Sequence, residues 1–115
     1  MLLKYYSEVP SEIPKLEGTK GVTLRWLISK NDGAKNYAMR LFELAPDGII
    51  PLHDHEKTEH EVFIVEGNGI LQTLEKNLEI KKGDAIFIKP GEKHSFQNNS
   101  KKPLKFICVI PLSRL

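Results

Sequence analysis

Residues 53–67 read HDHEKTEHEVFIVEG, and they carry three of the chain's four histidines, His53, His55 and His60, just ahead of a run that closes on Gly67. HEVFIVEG alternates: His60, Val62 and Ile64 share one face, Phe63 and Val65 the other. In an extended chain residues i and i+2 lie on the same side, so His53 and His55 point the same way with Cα atoms roughly 6.6 Å apart. That spacing lets two imidazoles converge on one ion at about 2.0–2.1 Å from each nitrogen. His60 stands at odd separation from both. The intervening EKTE has no strand pattern and can serve as a loop, after which His60 opens the next strand facing inward. His94 would have to return from a later strand. The competing reading, surface histidines in a charged loop, is weakened by PDGIIPL ahead of His53 and by the Pro-Gly turn ahead of His94, which place both histidines at strand edges.

Outward from this stretch most of the chain reads in period two. VTLRWLI (22–28), NYAMRLFEL (36–44), GILQTL (69–74), NLEI (77–80), DAIFI (84–88), HSFQN (94–98) and LKFICVI (104–110) join HEVFIVEG as short strands. Turn residues separate them at 31–33, 46–48, 67–69, 82–84, 90–91 and 98–100. No persuasive helical period competes. The expectation is an all-β domain of about eight short strands, a sandwich or small barrel.

At 115 residues the chain suits one domain, 1–115, and 40% hydrophobic with 28% charged residues is a globular composition. The net charge of +2 is small and the basic residues are scattered, so nucleic acid is not an expected partner. No apolar run approaches the roughly 20 residues of a membrane span, and MLLKYYSEVP lacks the apolar core of a signal peptide. With a single cysteine, Cys108, no internal disulfide can form, and a cytoplasmic protein is expected.

Two motifs carry a resemblance. Gly48-IIPL-His53-Asp-His55-EKTE-His60-EVFIVE-Gly67 resembles the first cupin motif, and GDAIFIKPGEKHSFQN (83–98) resembles the second, with His94 two residues beyond the Pro-x-Gly position and Asn98 closing it. The sequence departs from the pattern in the short spacing from Gly48 to His53 and in Lys89, which stands where the first proline is expected. The third cupin ligand is usually glutamate. Glu59 satisfies the count from His55, whereas the count to Gly67 and strand parity both select His60; parity weighs more, because a one-residue slip turns a side chain out of the barrel. EHEVFIVEG and MRLF (39–42) are similar to a subgroup of small microbial cupins with four-histidine sites that bind manganese or another divalent metal and resemble dioxygenases.

The resemblance implies a double-stranded β-helix, or jelly-roll, cupin barrel with motif 1 at about 48–67 and motif 2 at about 83–98. It implies one divalent transition metal per chain on His53, His55, His60 and His94, with manganese favoured and Fe, Ni, Cu or Zn compatible. Four neutral imidazoles leave the ion's charge near +2, and an octahedral ion would keep two open positions for a substrate oxygen and dioxygen, or for one bidentate substrate. The expected function is a small-molecule dioxygenase or oxygenase; the alternatives are a non-catalytic metal- or ligand-binding cupin and a cupin isomerase, cyclase or decarboxylase. Phe106 and Cys108 are candidate cavity residues, since Leu104, Phe106, Cys108 and Ile110 share the face away from Lys105. Either Met39 with Leu41 or Arg40 with Phe42 also reaches the cavity, and parity leaves that open. Phe63, Val65 and the apolar residues of MLLKYY need a cover, and the resemblance supplies one in a homodimer.

Overall fold

Each run of alternating residues forms a strand, and all pair antiparallel. The computed structural model describes residues 1–114, with side chains through Ser113. The strands are β1 (Lys20–Ile28), β2 (Tyr37–His53), β3 (His60–Glu66), β4 (Asn68–Thr73), β5 (Asn77–Lys81), β6 (Ala85–Ile88), β7 (His94–Gln97) and β8 (Leu104–Pro111). Among the described residues, helical structure is confined to three 3-10 turns at Tyr6–Glu8, Lys30–Asp32 and Leu112–Arg114. The strand order is β5-β4-β7-β2-β8-β3-β6, with β1 added on β2. The result is a curled all-β jelly roll.

Strand β2 joins the two halves. Its first part, 37–44, lies between β1 and β8, and its last part, 49–53, pairs with β7. The turn residues Pro46-Asp47-Gly48, expected to end a strand, instead kink this one. Two steps along β1, from Val22 to Lys20, answer five along β2, from Leu44 to Ile49, so residues bulge out of the ladder. Asp47 takes φ +66°, which aspartate tolerates better than most residues. At Gly48 a Cβ would stand 2.8 Å from the carbonyl oxygens of Ala45 and Gly21.

Strands β3 and β8 bury one face each, whereas β2 at Leu41-Phe42 and β7 at His94-Ser95-Phe96 bury successive residues. Leu104, Phe106, Cys108 and Ile110 of β8 are all buried, with half-buried residues between them, and β3 buries His60, Val62 and Ile64 with Glu61 and Phe63 exposed between them. Register then sets the core in rows. Trp26, Arg40, Cys108 and Val62 stand side by side across β1, β2, β8 and β3, and Leu24, Phe42, Phe106 and Ile64 form the next row.

The N-terminal segment lies on its own sheet. Glu12 bridges to Leu24, the Arg25 Nε donates to the Val9 carbonyl at 3.0 Å, and Lys4 pairs with Asp32 at 2.9 Å. Leu2, Leu3 and Tyr5 remain exposed.

Candidate metal centre

His53 ends β2, His94 opens β7, and the two are direct cross-strand partners. His60 opens β3 opposite Ile88 of β6. His55 lies in the connection after β2, where its carbonyl oxygen accepts from the Gly91 N–H at 2.9 Å and from the Thr58 N–H at 3.3 Å. That bond ties the histidine-rich loop to the turn that precedes His94. The four rings close into one cluster, with centroids 4.3 Å apart for His53 and His94, 4.9 Å for His55 and His60, 5.1 Å for His53 and His55, and 5.6 Å for His60 and His94. His60 and His94 are buried, His53 is half-buried and His55 stands at the exposed mouth.

Burial favours the neutral form of His55, His60 and His94. It is the largest cause at His60, with Arg40 and the other imidazoles adding to it, and together they push that ring down to about 3. His94 is pushed down to about 4, again chiefly by burial, against the opposing pull of its bond to the Glu92 carbonyl. His55 is lowered by burial and then by His53 and Arg40. A neutral imidazole is the form that binds a metal.

Backbone contacts set two of the tautomers. His53 Nδ1 lies 2.7 Å from the Pro51 carbonyl oxygen and His94 Nδ1 2.8 Å from that of Glu92. A carbonyl only accepts, so each Nδ1 carries the proton and each Nε2 keeps its lone pair. His60 Nδ1 is 3.4 Å from both Arg40 Nη2 and Cys108 Sγ, and its Nε2 is buried with no hydrogen-bond partner. With the Nδ1 proton turned to the sulfur, that orphaned Nε2 offers a lone pair.

Among the described residues no group of three or more His, Cys, Asp or Glu side chains is arranged to hold a metal ion as it stands. The ring spacing is nonetheless of the right size, because nitrogens ~2.0–2.1 Å from one ion put neighbouring ring centroids roughly 4–6 Å apart. Rotation about the broad χ2 torsion of histidine re-aims the nitrogens while the centroid stays nearly in place. The buried, neutral His60 and His94, the two fixed tautomers and the orphaned His60 Nε2 fit a divalent ion.

The rings face a cavity of about 50 Å³ walled by Phe42, Ile50, Val62, Ile88, Phe96 and Phe106, with Arg40 and Cys108 also at its edge. Phe96 and Phe42 both stack on Phe106, at 4.5 and 5.1 Å between centroids. Phe106 and Cys108 thus lie where strand parity put them. Of the two sets left open in β2, Arg40 and Phe42 reach the cavity. Burial pushes the Cys108 thiol up, so it stays protonated. Phe96 and Ile88 escaped the sequence reading; both lie one strand step along an inward face, Phe96 from His94 and Ile88 from Ile86.

The cupin domain profile matches residues 40–110. An oxalate-binding protein of Thermotoga maritima is 34% identical over 116 aligned residues, which take in 97% of this chain and 94% of that protein. Among solved structures, the polyketide cyclase RemF from Streptomyces resistomycificus superposes with a TM-score of 0.92 at 35% identity, covering 97% of this chain and 80% of that one. A Thermotoga maritima protein described as a predicted oxalate decarboxylase superposes with a TM-score of 0.84 at 32% identity, covering 96% and 99%.

Proposed function

The chain belongs to the cupin domain family, and from that premise we propose that it is a metal-binding cupin acting on a small molecule, with one divalent ion held by His53, His55, His60 and His94. The observation that carries this reading is the closed ring of four histidines around one cavity, with the buried Nε2 of His60 lacking any other partner. Manganese is the favoured ion, and Fe, Ni, Cu and Zn also suit imidazole donors.

When bound, such an ion supplies Lewis acidity and, for a redox metal, access to dioxygen chemistry. The chain's own residues do the rest. The Pro51 and Glu92 carbonyls hold His53 and His94 in the ligating tautomer. Phe42, Phe96 and Phe106 keep water from the inner end of the cavity, where charges interact more strongly than in water. A small-molecule oxygenase is the chemistry we propose first. The likeness to a polyketide cyclase and to an oxalate-binding protein favours a second reading, proton transfer or bond rearrangement without dioxygen. Turnover assays of the chain loaded with each metal, under air and under nitrogen, separate the two. Oxygen consumption that requires both metal and substrate supports the oxygenase, and undiminished turnover under nitrogen overturns it.

We place the protein in the cytoplasm. In support, no helix among the described residues is long and apolar enough to cross a membrane, and Cys108 is a buried free thiol. We further propose a homodimer, supported by Phe63 and Phe87, which leave an apolar outer face on β3 and β6.

A further inference from the structure

Arg40 is a permanent cation at the wall of the histidine cavity, and among the described residues it has no counter-ion. Its guanidinium lies over the Trp26 and Phe42 rings, 5.4 and 5.0 Å from their centroids. The row Trp26–Arg40–Cys108 across β1, β2 and β8 fixes that position. Arg40 Nη2 donates to Cys108 Sγ at 3.1 Å and lies 3.4 Å from His60 Nδ1, while Nε is buried with no partner. A thiol sulfur is a weak acceptor, and a guanidinium carries five N–H donors. Among the described residues Arg40 makes no ion pair, and no Asp or Glu lines the cavity. Arg25, on the opposite face of the sheet, shows the ordinary arrangement: it has Glu43 at 3.9 Å and the Val9 carbonyl at 3.0 Å.

We propose that Arg40 is an anion anchor and that the cavity's ligand is a small organic carboxylate, paired with Arg40 while a second oxygen of the same molecule faces the four histidines. This deepens the metal-binding reading above and rests on it. With a divalent ion on four neutral imidazoles and a cationic Arg40, the cavity holds a charge of about +3 behind walls that supply no compensation. A neutral ligand leaves that charge unmatched, whereas a carboxylate offers the planar pair of acceptors that a guanidinium fork fits best. The cavity of about 50 Å³ and its phenylalanine walls limit the molecule to a few heavy atoms.

The test is calorimetric titration of the full chain, loaded with manganese and checked for metal content, using pyruvate and glycolate against the neutral amide pyruvamide. Wild type should bind the carboxylates more tightly than the amide. Arg40→Met should keep its metal and lose roughly 10- to 100-fold in carboxylate affinity, the size of one charge-assisted contact, with no change for the amide. Arg40→Lys, which keeps the charge without the fork, should fall between them and guards against a fold defect in the methionine variant. Metal-loaded Arg40→Met that binds pyruvate as wild type does, or a metal-loaded wild type that prefers the amide or binds no carboxylate, overturns the anchor and leaves the metal site standing. A chain that takes up no manganese overturns both.

Discussion

Glu59 and His60 are neighbours in the chain, yet Glu59 is exposed while His60 retains only 5% of its accessible surface and joins the ring cluster. The alternation that places His60 inward with Val62 and Ile64 also turns Glu59 away. Replacing His60 by alanine should therefore weaken metal binding by more than roughly 100-fold, beyond the 10- to 100-fold typical of lost supporting contacts. Glu59→Ala should leave it nearly intact. Elemental analysis after reconstitution and desalting checks this, and equal losses would contradict the register of β3. Titration gives a second expectation. His60 and His94 lie near 3 and 4 in the folded chain and near 6.5 when unfolded. Above 6.5 both states hold neutral rings and pH has no effect through them. As pH falls below it, the unfolded chain takes up protons that the folded chain refuses, so metal-free protein loses stability at up to about 1.4 kcal/mol per pH unit for each ring down to about pH 4. Urea unfolding at pH 7, 6 and 5 measures it; a midpoint that does not fall would show the rings to be solvated.

Strand β2 owes its bend to Asn98. That side chain is 1% exposed; its Nδ2 donates to the Leu44 and Lys102 carbonyls at 2.9 and 2.8 Å, and its Oδ1 accepts from the Ser100 N–H and hydroxyl at 3.0 and 2.7 Å. Its backbone N–H donates to the Gly48 carbonyl and its carbonyl accepts from the Asp47 N–H, both at 2.9 Å. Asn98 thus clasps the kink from one side and the loop before β8 from the other. Asn98→Ala removes the side-chain donor to the buried Leu44 carbonyl and the acceptor for Ser100, while the Lys102 carbonyl keeps the Ser100 hydroxyl at 3.0 Å, and should cost about 1–3 kcal/mol. Because the kink aims the end of β2, which carries His53, metal occupancy should drop as well. Thermal unfolding with metal analysis tests both, and a variant with unchanged stability would show the clasp to be dispensable. The strands themselves were legible, since period two and flanking turn residues are local. The continuation of β2 through Pro46-Asp47-Gly48 was not: a turn tripeptide looks the same whether the chain reverses or only bends, and the bonds from Asn98 that decide it come from fifty residues away.

For the molecule as a whole, assembly turns on the outer face of β3, β6 and β8. Phe63 and Phe87 are 48% and 55% exposed, and with Ala85, Ile86, Ile107 and Val109 they border one apolar groove across β3, β6 and β8. Apolar surface gathered in this way marks contact sites more often than scattered single residues do. Sedimentation equilibrium should show a dimer of the 13.1 kDa chain at micromolar concentration, and Phe63→Glu should return it to the monomer mass. A wild-type monomer throughout that range would remove the homodimer. Part of the N-terminal stretch already has a cover in its own chain, since Tyr6 lies 5.7 Å from the Arg25 guanidinium and the Val9 carbonyl accepts from Arg25. The same change should leave metal content untouched, because Phe63 points away from the cavity.

Sequence alone determined the all-β class, the strands, the cupin resemblance and the four candidate ligands, because alternation, turn residues and motif spacing are properties of short segments. The parity of β8 likewise put Phe106 and Cys108 inside. Tertiary structure alone decided between Arg40 with Phe42 and Met39 with Leu41. Both faces of β2 are largely apolar there, Leu41 being 7% exposed and Phe42 9%, so no local pattern distinguishes inside from outside. Only the pairing that sets Arg40 between Trp26 and Cys108 brings a lone cation to the histidines, and register between strands is fixed by contacts distant in the chain.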